Sequence, residues 1–287
     1  MVGMRHILGL AIDDAGVVAT EVSVQSGRVE VRRTGELRWE QELTVDSVKP
    51  LGLRLRHFLR EQGFSAKRTV VGLAAKWVLT KEIETPPASA EALAGLLSIQ
   101  AERAFSLNAE ELIFDYCGGT APAADRSREL GRTAAPEKNQ ILLLAARRQT
   151  VGQIKELTEA AGLQLQAVTV SALACSRVLS ESGAACSYGL YAHPTYCEFW
   201  AQTEGGPRLI KHVPMSRNGT PDGYADHLAA TVERLVLLSP VAGQRPPYQV
   251  AAYDACGMPE RMVDGLRRRL GAQIKVSDGS SGLRSRG

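Results

Sequence analysis

Asp13 and Asp14 stand side by side between two β-rich runs and are followed by Ala15 and Gly16. Adjacent carboxylates suit a hard cation such as Mg²⁺. The same four residues also suit a tight hairpin turn, because Asp bonds its own backbone and Gly tolerates unusual angles. His193 and Cys197 sit close enough in sequence to suggest thiol nucleophile chemistry. No motif frames either residue, however, and His57, His193, His212 and His227 are each isolated, which reads as turn and surface histidines. Cys117, Cys175, Cys186, Cys197 and Cys256 are odd in number, widely spaced and form no CxxC pair. That pattern argues against structural disulfides and zinc, and for buried free thiols in a reducing cytoplasm. No Walker motif or nucleophile elbow is present, and Gly9, Gly16 and Gly27 do not make a GxGxxG.

The 287 residues are 44% hydrophobic, enough for two lobes with buried cores. A net charge of +3, from 34 basic and 31 acidic residues spread along the chain, leaves no electrostatic footprint for nucleic acid. Arg267, Arg268 and Arg269 read as the solvated end of a helix, where cations suit its dipole. No signal peptide is expected, and no apolar run is long enough for a membrane-spanning helix, so any membrane association is expected to go through partners.

The elements that must position these residues fall into two similar halves. Ile7–Ile12, Val17–Val24 and Val29–Arg33 read as a three-strand meander, followed by a helix over Val48–Gln62 that Gly63 ends. Strands are expected at Thr69–Ala74, Trp77–Ile83, Leu112–Tyr116, Gln140–Ala146 and Leu165–Val170. Helices are expected from Ser89 to Phe105, over Val151–Ala161 with Gly162 as stop, and over Ala172–Leu179. The second half opens on another meander, Ser187–Tyr191, Thr195–Thr203 and Pro207–Val213. A helix over Tyr224–Leu238, a strand over Gln249–Tyr253, a helix over Glu260–Leu270 and a strand over Gln273–Val276 then follow. Residues 119–138 have a loop-like composition of Ala, Pro, Gly, Thr and charge, and 277–287 read as a disordered tail.

A meander followed by helix and strand units, repeated once, resembles the superfold of actin, sugar kinases and heat-shock chaperones. In that α/β, actin-like fold, two ribonuclease-H-like lobes enclose a nucleotide. Within it the chain resembles the PilM type IV pilus assembly family. The resemblance is carried by Gly9-Leu10-Ala11-Ile12-Asp13, by Thr69–Ala74 with Val78–Pro86, and most strongly by the helix bearing Gln100-Ala101-Glu102 followed by Glu110-Glu111-Leu112-Ile113-Phe114-Asp115-Tyr116. Leu142–Ala146, Ile154–Leu157, Glu159–Leu163 and Val168–Ala174 extend it. It implies a first lobe (1A) from 1–67 and 167–185, an insert subdomain (1C) at 68–166 holding the loop 119–138, and a second lobe (2A) at 186–276. Subdomain 2B is expected to be reduced or absent.

The resemblance also implies nucleotide loops, and each departs from the family pattern. In the first, the family's acid falls on Ala11 and its Gly on Asp13. In the second, an Asp-x-Gly falls near Tyr191-Ala192-His193, with Pro194 removing a backbone donor. In the third, a Gly triplet falls on Asp254-Ala255-Cys256. Asp13, Asp14, Gly16 and Gly257 are thus expected as remnants of a degenerate nucleotide site, with no cofactor, no metal and no catalytic residue. The expected function is a cytoplasmic scaffold beneath a pilus or related secretion machine. It would bind the N-terminal peptide of an inner-membrane PilN-like protein in a groove walled by Trp77, Leu79, Ile83, Leu93 and Leu97, and could join a homo-oligomeric ring. The alternatives are an ATPase that binds ATP and Mg²⁺, kept because the lobe duplication usually accompanies a nucleotide, and the cytoplasmic domain of a GspL-like type II secretion protein.

Overall fold

A computed structural model describes residues 5–25, 28–86, 90–118, 139–180, 186–193, 195–203, 206–215, 221–239, 249–254, 263–265, 267–268 and 273–277. The described residues fall into two compact units, one drawn from Met1–Val78 and Arg147–Ala174, the other from Leu79–Ala146 and Cys175–Asp278.

The first unit is built on five strands: β1 (Arg5–Ile12), β2 (Gly16–Gln25), β3 (Arg28–Arg38), β4 (Arg68–Leu73) and β8 (Gln164–Val170), in the order β3-β2-β1-β4-β8. β1 to β3 are antiparallel, while β4 runs parallel to β1 and β8 parallel to β4. Alternation on β1 places Leu8, Leu10 and Ile12 in the core. Helices α1 (Val48–Glu61) and α3 (Arg148–Ala160) pack against each other where α1 presents Gly52. A Cβ at Gly52 would come within 2.6 Å of the Leu157 carbonyl oxygen.

Both helices end as the sequence suggests. Gly63 and Gly162 each have φ of +72°, and each precedes a residue whose amide reaches back to the helix: Phe64 to Leu59 at 2.8 Å, Leu163 to Thr158 at 2.9 Å. β3 continues past the expected end at Arg33 to Arg38, and pairs with β2 along its whole length. Gly35 belongs to that extension because a Cβ there would lie 2.9 Å from the Phe58 ring of α1.

Glu21, 1% exposed, ties β2 to the chain entering β4. Its carboxylate accepts from the Ser65 amide at 2.6 Å, the Ala66 amide at 2.9 Å and the Ser65 hydroxyl at 2.9 Å, and pairs with Arg32 at 3.3 Å. Burial alone would raise its pKa, but the Ala66 and Ser65 donors together with His6 outweigh burial and bring it from 4.5 to about 2.

The second unit holds two sheets. β5 (Val78–Thr85), β6 (Leu112–Gly118) and β7 (Asn139–Arg147) form the smaller, in the order β5-β7-β6. Helix α2 (Ala90–Phe105) contributes Leu97 and Ala101 to a core shared with Ile141 and Leu143. The larger sheet comprises β9 (Cys186–His193), β10 (Tyr196–Thr203), β11 (Gly206–Pro214), β12 (Gln249–Asp254) and β13 (Gln273–Ser277). Its order, β11-β10-β9-β12-β13, repeats the connectivity of the first sheet: an antiparallel meander with two parallel strands added beside its first member. Helix α5 (Pro221–Leu238) lays Leu228, Ala229, Val232, Leu235 and Val236 against Tyr188, Leu190, Cys197 and Phe199. Helix α4 (Ser171–Ser180) carries the chain from one unit to the other.

The insert boundaries differ from those expected. β4 and α3, which the insert expected at 68–166 included together with the first residues of β8, belong to the first unit, because β4 pairs with β1 on one side and β8 on the other. The separate layer is α2 with β5, β6 and β7. It fastens to β11: Thr80 Oγ1 donates to the Ile210 carbonyl at 3.0 Å, and Arg208 donates to the Gln140 carbonyl at 3.2 Å and pairs with Glu82. Residues 215–220 separate β11 from α5. The loop 119–138 and residues 278–287 lie outside the described residues, as does most of the helix expected at 260–270, of which 263–265 and 267–268 are helical.

Candidate functional site

The Asp13–Gly16 turn joins β1 to β2, and its geometry follows from the pairing around it. Ile12 faces Val17 across the hairpin, while Gly16 faces Arg38 of β3, whose backbone approaches so closely that a Cβ at Gly16 would collide with the Leu37 carbonyl. Trp39, just beyond β3, closes the turn from the side. Its indole donates to the Asp13 carbonyl at 3.0 Å, and its amide to the Ala15 carbonyl at 2.9 Å.

One oxygen of Asp13 fills the inside of the turn. Oδ1 accepts from the Ala15 amide at 2.7 Å and the Gly16 amide at 2.9 Å, while the Asp13 amide donates to the Gly16 carbonyl at 3.1 Å. Parallel pairing of β1 with β4 brings the end of β4 alongside, where the Ala74 amide donates to the Ile12 carbonyl at 3.1 Å. The 3-10 turn Ala75–Trp77 then carries Lys76 to the hairpin, and its ammonium pairs with Asp14. Lys76 also lies over the Trp77 ring, 5.6 Å from its centroid. Burial lowers the pKa of Lys76, and the charge of Asp13 works against that shift.

Of the four residues expected at the nucleotide loops, the structure therefore joins Asp13, Asp14 and Gly16. Gly257, with 255–258, lies outside the described residues. Lys76 is the member that sequence reading missed. Its signal was a lone lysine just past a strand parallel to β1, visible only once the β1–β4 pairing is known.

A phosphate at this turn would need the amides that Asp13 already holds, and would meet two carboxylates. The second expected loop, between β9 and β10, is lined with aromatic side chains. His193 stacks on Tyr196 with ring centroids 4.4 Å apart, and Tyr196 stacks on His212 at 4.9 Å. His193 Nδ1 meets Thr195 Oγ1 at 3.1 Å, and the Tyr224 hydroxyl donates to the His193 carbonyl at 2.7 Å.

Among the described residues thiol chemistry finds no support. Cys197 is wholly buried beside Phe199 in the second-sheet core. Burial, reinforced by a nearby carboxylate, pushes Cys117 and Cys197 to about 12 and Cys175 to about 11, so these thiols stay protonated. Among the described residues no cluster of His, Cys, Asp and Glu could hold a metal ion, and no helix is long and apolar enough to cross a membrane.

The residues expected to meet a partner separate by burial. Leu97, 2% exposed, belongs to the core of the smaller sheet, and Ile83 and Leu93 pack partly buried against it. Leu97 is corrected from groove wall to core, because its face of α2 is the one that closes on Ile141 and Leu143. Trp77 sits half-buried beside Lys76 in the first unit. Leu79 is 38% exposed, and Ile99, Ile113 and Tyr116, at 56%, 40% and 37%, are further apolar side chains of this layer open to solvent.

A family model described as Type IV pilus assembly protein PilM matches residues 9–186. No curated protein matches at the level of sequence. The structure is similar to that of a PilM-PilN type IV pilus biogenesis complex, at 15% identity and a TM-score of 0.76, over 96% of this chain and 89% of that one. It is also similar to a Bacteroides thetaiotaomicron protein with an actin-like ATPase fold, at 10% identity and a TM-score of 0.56, over 97% and 95% of the two chains. The cytoplasmic domain of EpsL, an inner-membrane component of the Vibrio cholerae type II secretion system, shares 12% identity at a TM-score of 0.50, over 96% and 86%. The fold is thus the actin-like ATPase fold, two sheets of matching connectivity with a smaller layer added.

Proposed function

The chain belongs to the type IV pilus assembly protein PilM family, and from that premise we propose that it is a nucleotide-independent scaffold of a pilus machine. It docks the N-terminal peptide of an inner-membrane PilN-like protein and neither binds nor hydrolyses ATP. The observation that carries the nucleotide half is the Asp13 carboxylate, held at 2.7 and 2.9 Å by the two amides a phosphate would require. A carboxylate in that position both takes the donors and repels an anion.

The partner half is supported by the similarity to a PilM-PilN complex and by the exposed apolar side chains Leu79, Ile99, Ile113 and Tyr116. Aliphatic and aromatic groups that avoid their own core are suited to meet an apolar peptide. The protein reaches the inner membrane through that partner.

Calorimetric titration of the full chain with ATP and Mg²⁺ tests the first half. No binding heat is expected, and micromolar affinity would overturn it. Capture of a synthetic PilN-like N-terminal peptide tests the second, which fails if peptide and a scrambled control bind alike.

A further inference from the structure

We propose that the open face of the first sheet is a contact surface for an anionic phospholipid bilayer, made by this chain itself and separate from any contact through a partner protein. The other face of that sheet is closed: Leu8, Leu10, Ile12, Val71 and Leu73 are buried there, on the side where α1 brings Phe58 against Gly35. Strand register puts the alternate residues on the open face in cross-strand rows. Val29 stands beside Val24 and Arg5, and Val31 beside Val22 and Ile7, with Arg68 at the start of β4 next in line. None of these is fully buried: Val29 is 38% exposed, Arg5 and Arg68 are exposed, and the others are half-buried. Strands paired in parallel, as β1, β4 and β8 are, are ordinarily covered on both faces, so an open aliphatic face marks a surface that meets something else.

The chemistry of the rows selects what that is. They hold aliphatic side chains and two guanidinium groups, and neither Arg5 nor Arg68 enters an ion pair among the described residues. Carboxylates are kept away. Glu30 pairs with Ser23 and so belongs to the closed face, as does the buried Glu21, while Glu36 lies at the far end of β3 and accepts from Arg38 at 2.8 Å. Short β-branched side chains on a sheet make a flat surface, without the groove that grips a peptide. A single-stranded nucleic acid would call for aromatic side chains among the cations, and these rows have none. A flat, aliphatic and cationic surface suits the interface of an anionic bilayer: the guanidinium groups reach lipid phosphates while their stems and the valines lie at the acyl boundary.

The test floats the purified full chain, with no partner added, on vesicles of equimolar phosphatidylglycerol and phosphatidylcholine and on vesicles of phosphatidylcholine alone. Binding to the mixed vesicles is expected, and should be at least roughly tenfold weaker on phosphatidylcholine alone or in about 1 M salt, where the screening length falls to about 3 Å. Arg5→Glu combined with Arg68→Glu is expected to weaken binding at least roughly tenfold. Arg177→Glu with Arg234→Glu, the same charge change on exposed arginines of α4 and α5, should stay within about twofold of wild type. An equal loss in both double variants would assign binding to net charge and overturn the face. Placement is read from tryptophan emission: Val29→Trp is expected to shift to the blue on the mixed vesicles, and Leu53→Trp, at a 58% exposed position of α1 on the closed side, is not. No shift at position 29, an equal shift at 53, equal binding to both vesicles, or no vesicle binding would each overturn the proposal. Binding of a DNA duplex in place of vesicles would assign the face to nucleic acid and overturn the bilayer. If the Arg5 and Arg68 double variant does not melt cooperatively, Arg5→Gln with Arg68→Gln is judged by the same outcomes. Peptide capture is measured separately, so failure here leaves the docking reading as it stands.

Discussion

Asp13 and Glu21 are two carboxylates on one hairpin, and each is held by a pair of backbone amides. Glu21 is the buried one, and its role is to fasten the entry of β4 to β2. Its pKa falls on folding from 4.5 to about 2, so its stabilising contribution is present above pH 4.5 and is lost as the pH drops through that interval. Glu21→Gln is expected to cost roughly 2 kcal/mol in denaturant unfolding at pH 7. The difference from wild type should shrink as the pH falls from 4.5 toward 2; a difference unchanged over that range would assign Glu21 a role independent of its charge. Asp13 was legible in the sequence, because Asp-Asp-Ala-Gly is local turn chemistry. Glu21 and Lys76 were not, because their partners Ser65 and Asp14 come near only through the β1–β2–β4 pairing.

At the scale of elements, what was readable was again what is local. Gly63 and Gly162 end their helices because positive φ favours glycine, a property of single residues. The extension of β3 over Thr34–Arg38 escaped notice because this edge strand is polar and takes its order from β2 and from Phe58 packed over Gly35. Leu97 and Leu79 were both read as partner contacts, and burial now divides them. Leu97→Ala is expected to destabilise the protein by about 3 kcal/mol, the range for a fully buried leucine. Leu79→Ala should shift stability by no more than about 0.5 kcal/mol and yet weaken capture of the PilN-like peptide. A Leu79→Ala protein that captures peptide as well as wild type would remove Leu79 from the docking surface. Arg208, whose side chain is 13% exposed, holds β5 and β7 to β11 through Glu82 and Gln140. Arg208→Ala is expected to cost roughly 2 kcal/mol and to speed amide hydrogen exchange in β5 and β7 over that in β1 and β4. Equal acceleration in both sets would show that Arg208 does not act as a local fastener.

The whole molecule is a duplication written twice in the same order of strands, β3-β2-β1-β4-β8 and β11-β10-β9-β12-β13. That plan was readable because a meander leaves a regular mark of short strands and tight turns. The insert's limits were not, since nothing local announces that β4 will be a central strand rather than the first strand of an added layer. The actin-like architecture is kept, and the Asp13–Gly16 turn is filled by the protein's own carboxylate, the observation on which the proposed nucleotide independence rests. The most direct test is the affinity of the full chain for the N-terminal peptide of the PilN-like protein proposed as its partner, measured by fluorescence anisotropy without nucleotide and then with saturating ATP and Mg²⁺. A nucleotide-independent scaffold binds the peptide in both conditions with the same affinity; binding that appears or strengthens only when ATP is present would contradict the account.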